Sequence, residues 1–210
     1  QLTMEGLYKT LKHLGLDSSH VVYIRTFLDP IEKAGEVDDV INSFFPEDAR
    51  PSVTHLEWKT ENSIEIEMIA FAPNDINIEG ADPKLEIQHF WLDWLTVSPV
   101  YCRYTIVNSP FRIYISDLVA ENANSHADEI HEIFGKLQKI LAATGSDLNH
   151  LAKATYYTTN AEVSKPFGAI RKEYYNPNHP PAASLARIEG IDGEDKSIAI
   201  DMIAVPVKTE

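Results

Sequence analysis

Residues 141–159 read LAATGSDLNHLAKATYYTT, and residues 11–29 read LKHLGLDSSHVVYIRTFLD. Set 130 positions apart, Leu11, Gly15, Asp17 and His20 fall on Leu141, Gly145, Asp147 and His150. Each stretch reads as a helix end, a glycine cap, a short polar turn and the entry to a strand. Glycine after the last apolar helical position suits a left-handed cap. The runs at 21–28 and 151–158 are rich in β-branched and aromatic residues, as strands are.

Working outward, the same order of elements recurs. Upstream of Gly145, Ala127, Ile130, Phe134, Leu137 and Leu141 recur at helical spacing, with Ser125 and Asp128 placed as an N-terminal cap. Upstream of Gly15, Met4, Leu7, Leu11 and Leu14 form the matching stripe. Downstream, Val37, Val40, Ile41 and Phe44 mark a second helix in the first copy. Phe167, Ile170 and Tyr174 mark it in the second, with Pro166 in the opening turn. Each copy then closes on two strands, expected at 52–59 with 63–72 and at 182–189 with 196–205. The dipeptide Asp192-Gly193 marks a hairpin turn in the latter. The endings IEIEMIAFAP and IAIDMIAVP match at an offset of 134.

The chain therefore reads as helix, strand, helix, strand, strand, twice: an internal repeat of domain size. The second copy has two further strands ahead of its helix, near 101–107 and 111–119, with Ser109-Pro110 between them. The first copy has none. An open sheet edge invites pairing, so the segment 74–99, with KLEIQHFWLDWL inside it, is expected to cover that edge.

Composition narrows the function. The 210 residues are 44% hydrophobic and 24% charged, an ordinary globular balance. No apolar run reaches the roughly 20 residues of a membrane span, so no membrane partner is expected. No basic-then-apolar leader follows Gln1, and the single cysteine, Cys102, fits a reducing compartment; a cytoplasmic location is the expectation. The formal net charge of −14, with no basic stripe, argues against nucleic acid as a partner.

FRIYISDL, GSDLNHLAKATYYTT and MIAVP, in that order and on those elements, resemble the YjgF/RidA family, known in older usage as endoribonuclease L-PSP or translation-inhibition proteins. The resemblance runs from about Tyr101 to Pro206, and again from Leu2 to Pro73 without the opening hairpin. It implies an α+β, chorismate-mutase-like fold, used twice: each domain a mostly antiparallel sheet with two helices on one face. The domains would be 1–73 and 100–210, with 74–99 as linker. It also implies a homo-oligomer, a trimer, with clefts between domains or subunits. The activity implied is hydrolysis of reactive enamines and imines to 2-keto acids and ammonia, on a small substrate bearing a carboxylate, with no cofactor and no metal.

Carried over by resemblance, DARPSV places Arg50 as the guanidinium that grips a substrate carboxylate by two parallel hydrogen bonds. The second copy reads HPPAAS and has Pro180 there. EIEM places Glu65 as the group that handles the attacking water, where AIDM has Ala199. Ser116 and Asp117 stand where the family has Ser-Gly, a hydroxyl and a backbone N–H for the ligand. Asp38 and Gly168 stand near a family asparagine. The alternative is a non-catalytic ligand-binding or assembly protein, since Pro180 and Ala199 have lost the charged groups. Ribonuclease ranks last, because of the acidic surface.

Other residues read as scaffold. His20 and His150 recur at one place in both copies and suit a shared bond at the turn. His126 and His131 are five apart on a helix, poor spacing for two metal ligands. Cys102 reads as packed, and Trp58, Trp91 and Trp94 as core or interface anchors.

Overall fold

The structure is a computed structural model, and it describes residues 1–59, 63–73, 78–191 and 196–208. The expected Asp192-Gly193 turn lies outside the described residues. The chain divides into two compact units, Gln1–Ala81 and Asp82–Glu210.

The first unit begins with α1 (Leu2–His13), which buries Met4 and Leu11, and ends at Gly15 in the left-handed region, φ 71°. The turn beyond it leads into β1 (Val21–Leu28), followed by α2 (Ala34–Asn42), β2 (Ser52–Glu57) and β3 (Ile64–Ala70). Among the described residues the sheet order is β2-β1-β3, with β2 parallel and β3 antiparallel to β1. Met4, Leu11, Ile24, Ile41, Phe45 and Ile66 meet in the core between helices and sheet. In strands, alternate residues face opposite sides. Tyr23, Arg25, Phe27, Thr54, Glu65 and Glu67 therefore lie on the face turned away from the helices.

The second unit holds β4 (Ile87–Phe90), β5 (Tyr104–Val107), β6 (Ile113–Leu118), α3 (His126–Ala143), β7 (Leu151–Thr158), α4 (Ser164–Tyr174), β8 (Ala182–Arg187) and β9 (Ile198–Ala204). Its main sheet has the order β6-β9-β7-β8, again with one parallel pair, β7 with β8. Ser125 Oγ accepts from Asp128 N–H at 3.1 Å and caps α3 as the sequence predicts. Ile130, Ile133, Phe134, Leu137 and Leu141 of α3 pack with Phe167 of α4 over Tyr156, Ile198 and Ile200. Both units have the helices-on-one-face α+β architecture expected of them.

Strand pairing departs from the sequence reading in three places. β2 and β3 are not hairpin partners, nor are β8 and β9, because the earlier strand of each unit, β1 or β7, lies between them. A helix crossover brings β2 alongside β1 in parallel, the arrangement that parallel neighbours require. The strands near 101–107 and 111–119 also separate: β5 pairs with β4, whereas β6 pairs with β9. The loop after β5 is pinned to β4's approach by Asn108 N–H and Ser109 N–H, both donating to Glu86 O. Segment 74–99, expected to cover the open edge of the first sheet, contributes β4 to a ladder inside the second unit; among the described residues β3 pairs with β1.

Candidate functional site

The repeated turns are built alike. Asp17 accepts from Ser19 N–H at 2.9 Å, and His20 Nδ1 lies 2.9 Å from its carboxylate. Asp147 accepts from Asn149 N–H at 2.8 Å, with His150 Nδ1 at 2.7 Å. The Ser19 hydroxyl, then His20, hold Asp17 below the usual carboxylate range. Burial pushes Asp147 up, but His150 and the Asn149 N–H outweigh it and leave its pKa lowered. These acid–imidazole contacts fix the entry of β1 and β7, the structural task expected of His20 and His150.

Arg50 sits exposed at the end of a one-turn 3₁₀ helix, just before β2. Glu65 lies on β3, half-buried, opposite Phe27. Ser52 pairs with Tyr23, which brings Arg50 level with Val21. Six residues of β1 therefore separate the levels of Arg50 and Glu65, about 20 Å at the usual strand rise. Within one unit, these two groups do not converge on one small molecule. The acid that the sequence reading passed over is Glu67. It is buried opposite Arg25, whose guanidinium lies 3.5 Å from its carboxylate.

In the second unit, Ser116 and Asp117 form a bulge. Ile115 pairs with Met202 and Leu118 with Ile200, so both residues stand against Asp201. Asp117 has φ 55°, the left-handed region that glycine adopts most easily and aspartate tolerates. Its backbone N–H donates to Asp201 Oδ1 at 2.9 Å. The Tyr157 hydroxyl donates to Asp201 Oδ2 at 3.2 Å. Lys153 and Thr155 continue this face of β7, with Lys153 Nζ 3.3 Å from the Thr155 hydroxyl. Ser116 is exposed. The backbone donor that the resemblance assigns to a ligand is thus held by a carboxylate of the same chain.

Asp201 and Glu67 occupy the same place in the two copies, opposite Thr155 and Arg25 respectively. The signal was visible in the sequence, since EIEM and AIDM carry an acid at the same place. Each acid engages a donor of its own unit. Ala199 is buried next to this position and has no polar group to offer, and Pro180 is buried at the place matching Arg50.

The remaining candidates have structural partners. His126 Nδ1 lies 2.9 Å from the Ser197 hydroxyl, and His131 Nδ1 lies 2.9 Å from the Tyr174 hydroxyl. Buried Glu129 accepts from the N–H groups of Ser197 and Ile198 and from the Ser197 hydroxyl, clamping α3 to the start of β9. Burial pushes the Cys102 thiol up to about 12, so it is no nucleophile at neutral pH. Trp58 is buried and Trp91 half-buried, with Nε1 donating to Ser98 O and Tyr101 O. Trp94 is 41% exposed.

Residues 109–206 match the family model described as Endoribonuclease L-PSP. The match covers most of the second unit, which is similar to this family. Among solved structures, the Rid-family protein YyfB from Yersinia pestis, of unknown function, is 17% identical. It covers 57% of this chain and 98% of its own, with a TM-score of 0.52, a likeness of fold. A YjgF-family protein from Neisseria meningitidis is 20% identical over 59% of this chain and 97% of its own, TM-score 0.45. A putative endoribonuclease from Thermotoga maritima is 20% identical over 51% and 87%, TM-score 0.43. No curated protein matches the chain. No helix among the described residues is long and apolar enough to cross a membrane.

Proposed function

We propose that this protein is a Rid-fold binding or assembly protein whose second unit does not hydrolyse imines. One observation carries the reading: the Asp117 N–H, the donor a ligand carboxylate would use, already donates to Asp201 Oδ1 at 2.9 Å. Filling it with an external carboxylate requires displacing Asp201 from two donors, Asp117 N–H and the Tyr157 hydroxyl. Pro180 and Ala199 support the same reading, since neither can grip a carboxylate or accept a proton from water. The protein assembles as a homo-oligomer in this reading. Its solution mass, by light scattering, is a multiple of the 23.6 kDa chain.

A second reading, RidA-like hydrolysis of enamines and imines to 2-keto acids, draws on residues of the first unit, with Arg50 of one subunit and Glu65 of another serving one substrate. There Glu65, Glu67 and Arg25 share one sheet face, and Arg50 is exposed for a carboxylate. One assay separates the readings. Imino acids are generated by a threonine dehydratase or an amino-acid oxidase, and release of the keto acid is followed with and without the protein. No acceleration over buffer is expected. Acceleration that disappears in Arg50→Ala establishes the hydrolytic reading instead.

A further inference from the structure

Just ahead of β5, Cys102 N–H donates to Pro181 O at 3.1 Å; along the β4–β5 ladder itself, two side chains that face each other in register, His89 and Thr105, reach the main sheet. They attach to consecutive residues at the start of β7. The Thr105 hydroxyl donates to Ala152 O at 3.1 Å, and His89 Nε2 lies 2.9 Å from Leu151 O. A carbonyl only accepts, so Nε2 carries the proton and donates. In the neutral ring Nδ1 then holds the lone pair. Nδ1 is buried and has no hydrogen-bond partner among the described residues.

Protonation at Nδ1 would therefore place a charged N–H where no acceptor lies. The groups around the ring oppose the charge as well. The His179 ring stands edge-on with centroids 5.5 Å apart, and His150 adds like charge when protonated, although Asp147 holds His150 at 2.7 Å. Burial, with His179 and His150 behind it, lowers the pKa of His89, and the Leu151 carbonyl offsets this only in part.

We infer that His89 is a pH-sensitive latch: neutral, it fastens the β4–β5 ladder to β7; protonated, it lets the ladder go. Released, the ring reaches water and titrates as an ordinary histidine, near 6.5. The attached state binds fewer protons than the released one. Its stability is therefore complete above that value and falls as the pH drops through it, levelling off below the lowered value of the attached ring.

Hydrogen exchange, corrected for the intrinsic pH dependence of amide exchange, reads the latch directly. Between pH 7.5 and 5, protection of the amides in 87–90 and 104–107 should fall by up to about tenfold per pH unit below 6.5. Protection in β7 and β9 should persist. His89→Gln keeps an amide donor for Leu151 O and cannot take up charge, so its profile should be flat in this window. An identical pH profile in His89→Gln and the native chain would overturn the latch. So would a His89 ring that titrates at or above the ordinary histidine value by NMR in the native chain, a measurement that needs no variant to fold.

Discussion

The two units place the same backbone in the same register but anchor their second helix by different chemistry. In the first unit, the Thr26 hydroxyl lies 2.6 Å from His55 Nδ1, and His55 Nε2 lies 2.9 Å from Asp38 on α2. The line runs from a fully buried hydroxyl in β1 out to a carboxylate near solvent. The matching residues of the second unit are Tyr156, Leu185 and Gly168. There the anchor is aromatic. Tyr156 meets Phe167 of α4 edge to face at 4.7 Å, and its hydroxyl lies 2.7 Å from that of Tyr175. The Arg171 guanidinium stands 4.3 Å from the Phe167 ring. Burial raises the pKa of both tyrosines, so both stay neutral and share one hydrogen bond.

An unpaired buried polar atom is costly, and the pairing that relieves it can lead outward or close on itself. The first unit leads it outward through an imidazole, at the cost of keeping three polar groups aligned. The second closes it between two hydroxyls inside a larger apolar core. The acids of the last strands show the same freedom: Glu67 meets a guanidinium, and Asp201 meets a backbone N–H and a phenol.

The largest expected effect comes from the second core. Phe134 is fully buried, stacked on Tyr174 at 4.5 Å and edge-on to Tyr175. Phe134→Ala should cost about 3–5 kcal/mol in denaturant unfolding. A loss below about 1 kcal/mol would mean that Phe134 does not hold the aromatic anchor of the second unit together. A smaller effect tests the two anchors against each other. His55→Leu, which installs the second unit's residue, leaves the Thr26 hydroxyl buried and unpaired and should cost about 1–3 kcal/mol. Tyr175→Phe removes one partner of the Tyr156 hydroxyl and leaves it the Arg171 guanidinium, so it should cost about 0.5–1.5 kcal/mol. If His55→Leu is neutral while Tyr175→Phe is not, the polar line is dispensable and the comparison breaks.

Most of the scaffold was legible because helix and strand periodicity, the glycine caps and the Asp-to-His turns are local patterns, each present twice. Strand neighbours were not legible. Nothing within 52–57 or 64–70 announces that β1 lies between them, and the alternation in LEIQHF marks a strand without naming its partner. Ser116 and Asp117 could be placed from sequence, but Asp201 opposite them could not, because a bulge sets that contact. Arg50 and Glu65 were plausible as separate residues. Their distance along β1 depends on register, which residue types alone do not fix.

Asp201 occupies the donor that a ligand carboxylate would need. Amide NMR of Asp117 during titration with 2-oxobutyrate tests it most directly. In the native chain the Asp117 amide should not respond, and in Asp201→Ala it should shift saturably as the carboxylate takes the vacated donor. A saturable shift of the Asp117 amide in the native chain, as large as in the variant, would contradict the account.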